Sequence, residues 1–133
     1  MQFVILYVST AVIFLALDAV MLTQVMKPLF QRHLGDALLE PIRLGPAAAF
    51  YLFYVGVLVW LVTAPALVSG PSARVALNAA LLGAAAYGTY EFTNYATLKA
   101  WSWQMVAADL TWGTVLTTVA ALGGLWIARA LSG

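Results

Sequence analysis

Four long apolar stretches, separated by short breaks, occupy most of the 133 residues of this chain. A hydrocarbon layer about 30 Å thick needs roughly 20 such residues per helix. The spacing therefore predicts spans over about residues 3–26, 47–68, 74–98 and 104–127. Lys27-Pro28 closes the first with a charge and a helix breaker, and Leu44-Gly45-Pro46 and Ser69-Gly70-Pro71 bracket the second. Arg74 precedes the third and Arg129 follows the fourth. The expected fold is an all-α membrane protein, a single transmembrane domain over residues 1–133 with four helices in an up-down bundle.

Composition supports that class. Hydrophobic residues make up 64% of the chain and charged residues 8%, with a mean hydropathy of +0.94, which leaves too little polar surface for a soluble domain. The net charge of +1, with no basic run, argues against nucleic acid as a partner. There is no cysteine, so disulfides and thiolate chemistry are excluded. The first span lacks a basic leader and carries an acid in its apolar run, so it is read as a retained helix rather than a cleaved signal.

The one long polar connection runs from Lys27 to Pro46. Leu29, Phe30, Leu34, Ala37 and Leu38 recur at helical spacing against Gln31, Arg32, Asp36 and Glu40. This predicts a short amphipathic helix over about residues 28–40, lying in the interface as a connector or as a lid. Gly35 weakens it by roughly 1 kcal/mol relative to Ala.

Three acids stand inside the predicted spans: Asp18, Glu91 and Asp109. Each costs about 2.5 to 3.5 kcal/mol at mid-helix on insertion scales, less toward the interface, so each calls for a partner, water or a function. Counting inward from the ends nearest the 27–46 connection and rising 1.5 Å per residue, all three fall roughly 8 to 12 Å below the same membrane face. Their common depth predicts a layer; whether they touch is not contained in a depth count.

Their neighbours extend the pattern. Tyr87, Glu91, Asn94 and Tyr95 share one face of the third helix, with Gly88 and Ala84 beside it. Asp109, Trp112, Gly113 and Thr117 share a face of the fourth, where the Gly113/Thr117 spacing allows close approach of another backbone. Phe14, Met21, Leu22 and Val25 flank Asp18, so its polar partners are expected from the third and fourth helices. Trp101, Trp103 and Trp126 fall near span ends, where such rings anchor helices, whereas the more central Trp60 reads as packing. Lys99 either snorkels to the interface or turns toward the acids. His33 stands alone on the connector, and no metal site is assigned.

The segments GAAAYGTYEFTNYATLKAW (83–101) and DLTWGTVLT (109–117) carry a family likeness. With the acid late in the first helix, the chain resembles a bacterial family of predicted four-helix membrane proteins catalogued as a domain of unknown function. The patterns are Y-G-T-Y-[DE]-x-T-N-x-A-T-L-K and D-x-x-W-G. The family usually has Trp three residues after the first-helix Asp; here that position is Met21. The resemblance implies the architecture and no activity.

Three functions are compatible with these residues. The first is a pocket for a small polar or cationic ligand or a lipid head group, used for carriage or sensing, with Asp18, Tyr87, Tyr90, Glu91, Asn94, Asp109 and Trp112 as contacts. The second is an accessory subunit, or one copy of a homo-oligomer, in a larger membrane complex. The third is an enzyme using Glu91 and Asp109 as acid and base on a lipid. Expected partners are membrane lipids, and no cofactor is indicated. Lys27, Arg32, Arg43 and Lys99 outnumber Arg74 and Arg129, so the positive-inside rule places residues 27–46 and 99–103 in the cytoplasm of a bacterial inner membrane.

Overall fold

The computed structural model describes residues 2–34, 44–67 and 71–132. Among them it is helical: α1 (Gln2–Met21), α2 (Lys27–Leu34), α3 (Leu44–Leu58), α4 (Ser72–Thr97) and α5 (Trp103–Ser132). Part of the proposed amphipathic stretch, residues 35–40, lies outside the described residues, as do Pro41 and Arg43.

The first helix does not stop at Lys27-Pro28, as the proline suggested. A π turn over Leu22–Met26 joins α1 to α2, with helical backbone at Met21 and Lys27 on either side. Proline has no N–H to donate and its ring strikes the carbonyl four residues back. A wide turn just before Pro28, closed by Lys27 N–H to Leu22 O, moves those carbonyls aside and lets the helix continue. α3 repeats the device: a π turn over Val59–Thr63, closed by Ala64 N–H to Val59 O, stands just before Pro65. Continuation of the first helix also carries Leu29 onto Trp101, Met105 and Val106, a small apolar cluster.

Other boundaries have ordinary causes. Pro46 does not break α3 but sits in its first turn, where its missing N–H is harmless. Extended Pro71 starts α4, with its carbonyl accepting from Arg74 and Val75 N–H. Extended Leu98 ends it, and the Trp101 N–H returns to Leu98 O. Ser102 then caps α5, its Oγ accepting from Met105 N–H at 3.3 Å. This short turn makes α4 and α5 an antiparallel hairpin.

Among the described residues, three segments have the length and apolar composition to cross a membrane: Gln2–Leu29, Gly45–Ala66 and Trp103–Leu131. α4 is not among them, because Asn78, Thr89, Glu91, Thr93 and Asn94 lower its hydropathy, although its 26 residues provide the length.

α5 is the central helix, packed along both α1 and α4. Its seam is lined by small side chains. A Cβ added at Gly113 would lie 2.1 Å from Cγ of Tyr87, and one at Gly124 would lie 2.0 Å from Oγ1 of Thr10. The close approach expected at Gly113 is therefore realised against α4. The main core joins Leu6 and Phe14 of α1, Val55 and Leu58 of α3, and Leu116 and Leu125 of α5. Tyr54 and Thr117 hydroxyls hydrogen-bond at 2.9 Å inside it, and the Tyr7 hydroxyl donates to Leu52 O at 2.8 Å.

Two tryptophans differ from expectation. Trp60 is 77% exposed on the outer face of α3 instead of packing inside. Trp101 is 8% exposed, inside the protein, whereas Trp103 and Trp126 are exposed. With Phe3, Phe53 and Leu77 also exposed, the outer surface is apolar to a degree that soluble monomers do not show.

Candidate intramembrane acidic and aromatic site

Asp18 is buried on α1, and its Oδ1 accepts from the Trp112 indole N–H of α5 at 3.2 Å. That partner comes from the helix the sequence indicated. The Tyr51 hydroxyl of α3 also lies beside the Asp18 carboxyl. Such donors are what an ionised carboxylate, an acceptor only, requires when buried.

Asp18 forms one wall of a partly open cavity of about 360 Å³. Leu22 and Met26 extend that wall; Phe50, Tyr51 and Tyr54 of α3 form the second, Tyr87 and Tyr90 of α4 the third, and Asp109 of α5 the last. Aromatic contacts keep the tyrosines in place. Phe14 stands 5.5 Å from the Tyr51 ring and 5.6 Å from that of Tyr54. Tyr54 and Tyr87 meet edge to face at 6.3 Å. The Tyr87 hydroxyl is buried and has no hydrogen-bond partner among the described residues, so a polar valence is left for a guest.

Behind Asp109 lies Glu91, fully buried at 0% exposure. Trp101 donates its indole N–H to Glu91 Oε1 at 2.8 Å, and the Trp101 ring meets Tyr90 edge to face at 5.8 Å. Glu91 Oε2 has no donor; its neighbour is the Asp109 carboxyl. Trp101→Phe keeps the ring and removes this N–H. It is expected to destabilise the protein by about 1–3 kcal/mol, the cost of stripping a donor from a buried polar group. Thermal unfolding in detergent reads this; an unchanged midpoint would mean that the indole N–H contributes nothing.

The three acids thus share one end of the bundle. Asp109 lies beside Glu91 and feels the charge of Asp18. No three His, Cys, Asp or Glu side chains among the described residues are grouped closely enough for one metal ion, so the layer is a carboxyl pair facing a single carboxyl. Among the sequence candidates, Asp18, Tyr87, Tyr90 and Asp109 line the cavity, while Glu91 and Trp112 stand behind the acids. Asn94 is off the lining, next to Tyr90. Lys99 is exposed in the α4–α5 turn instead of turning inward.

Sequence reasoning missed Phe50, Tyr51, Tyr54 and Trp101. Tyr51 and Tyr54 carried a signal, since two phenols three residues apart share a face of an otherwise apolar span. Trp101 carried none, because only the reversal at Leu98 brings it back onto Glu91.

Residues 3–126, which reach into every described helix and include Asp18, Glu91 and Asp109, match the family described as Predicted membrane protein (DUF2177). The chain belongs to this family. It is therefore a membrane protein, of a family without an assigned function. No curated protein and no solved structure matches the chain.

Proposed function

We propose that this protein crosses the membrane four times and binds a small ammonium-type cation, free or as a lipid head group, in the cavity between Asp18 and Asp109, as a carrier or sensor. The observation that carries the reading is the lining itself: the carboxyls of Asp18 and Asp109 with the rings of Phe50, Tyr51, Tyr54, Tyr87 and Tyr90. The two carboxylates supply the countercharge, and aromatic faces attract an organic cation with about 0.5–2 kcal/mol each, more as water is excluded. A cavity of about 360 Å³ is at the size of small-ligand pockets.

The fourth span is α4. It lies along α5, an apolar crossing segment, and a connection of five residues, 98–102, joins them, so the two occupy the same depth. Of the polar residues of α4, Glu91 and Tyr87 turn inward against α5, and the exposed Thr89 hydroxyl donates back to Ala85 O. By the excess of Lys and Arg, the face bearing the α4–α5 turn is cytoplasmic.

Titration calorimetry with tetraethylammonium, on protein in phosphatidylglycerol nanodiscs, tests the reading. Saturable binding is expected, weakened about tenfold, or 1.4 kcal/mol, by Asp18→Asn. That loss is moderate because the Trp112 indole and Tyr51 hydroxyl already share the Asp18 charge. Native mass spectrometry distinguishes the sources: phosphatidylcholine retained from mixed nanodiscs points to a head group, its absence to a free cation. No heat of binding and no retained choline lipid would overturn the proposal.

A further inference from the structure

Ionised carboxylates only accept hydrogen bonds, so two of them side by side have nothing to exchange. Glu91 and Asp109 are in this position. Glu91 is 0% exposed, its Oε1 takes the Trp101 indole, and its Oε2 has no donor. The Asp109 carboxyl lies beside the Glu91 carboxyl. Two adjacent negative charges in an apolar surrounding repel each other strongly, and one proton between them removes both the repulsion and the bare acceptor.

We infer that Glu91 Oε2 and the Asp109 carboxyl hold one proton between them, and that a cation entering the cavity displaces it. The displacement rests on the cation-binding reading above; the shared proton does not. The exchange balances in charge: one proton leaves the pair for water as one monovalent cation takes its place beside Asp109. Glu91 faces away from the cavity and Asp109 lines it, so Asp109 is the contact to the guest and Glu91 is its proton-sharing partner.

The groups that face Asp109 are acids and phenols. Glu91, Tyr87 and Tyr90 come from α4, Asp18 from α1 and Tyr51 from α3. The phenols can donate to an ionised Asp109 once the proton has gone. The Tyr87 hydroxyl, now without a partner, is the one placed to take up that role.

Two measurements test the two halves separately. Infrared spectroscopy of the protein in phosphatidylglycerol nanodiscs at neutral pH reads the carbonyl band of a protonated carboxyl. The band is expected in the wild type and absent from both Glu91→Gln and Asp109→Asn. No such band in the wild type, or one that survives in both variants, overturns the shared proton. Calorimetry with tetraethylammonium in two buffers of different ionisation heat counts the protons released. About one proton per cation is expected from the wild type, and none from Glu91→Gln, whose amide donates to Asp109 in place of the proton. Binding by the wild type without proton release overturns the coupling. If tetraethylammonium does not bind at all, the coupling falls with the cation-binding reading, while the infrared band still decides the shared proton.

Discussion

Asp109→Asn is expected to weaken tetraethylammonium binding by about thirtyfold or more while leaving the thermal unfolding midpoint close to that of the wild type. The substitution conserves shape and removes the only carboxyl contributed to the cavity wall by α5. Removing one partner of a buried charge pair costs about 2–5 kcal/mol, and each 1.4 kcal/mol is about a factor of ten in affinity. The effect exceeds that of Asp18→Asn because the close neighbour of Asp109 is another acid, whereas Asp18 accepts from the Trp112 indole. Calorimetry in phosphatidylglycerol nanodiscs reads the affinity and circular dichroism the midpoint. Wild-type affinity in Asp109→Asn would remove this carboxyl from the binding site.

Gly113→Val is the largest structural perturbation expected. Even the first carbon of a side chain would lie 2.1 Å from Tyr87 Cγ and 2.3 Å from its Cδ1. Those atoms are the root of the ring, which has Tyr54 standing edge to face against it. Relief requires α4 and α5 to separate, which would also part Glu91 from Asp109. Overpacking typically costs about 1–3 kcal/mol and here falls at or above the upper end. A lowered unfolding midpoint together with lost cation binding is the expected outcome. Gly45→Ala is the control: nothing lies within 4 Å of its added carbon, so it should be neutral or stabilising by about 0.5–1 kcal/mol. A Gly113→Val protein with the wild-type midpoint would show that the α4–α5 seam is not close-packed.

Much of the site was legible before any coordinate. Asp18, Glu91 and Asp109 are costly in apolar helices, and counting residues from the span ends places them at one depth, because helical rise is fixed. The stripe of Tyr87 and Glu91 and the small residue at Gly113 followed from helical period. What failed was of a different kind. Pro28 looked like an end, yet a π turn absorbed it, since the stop signal of a proline is local and a wide turn together with the Leu29 contact to Trp101 outweighs it. Trp60 looked internal from its depth and proved external, because depth says nothing about rotation.

The sequence by itself determined the class, an all-helical membrane protein, and predicted a common level for the acids, for both depend on composition and on distances counted along one chain. The tertiary structure decided which acids meet, that Tyr51 and Tyr54 complete the cavity, and that Trp101 binds Glu91. The physical reason lies in the surroundings of α1 and α3. Lipid is as apolar as a protein core, so such helices carry no stripe to mark an inner face. Their rotation is set where Thr10 meets Gly124 and Asp18 meets Trp112 on α1, and where Tyr54 meets Thr117 on α3, across contacts that no single segment contains.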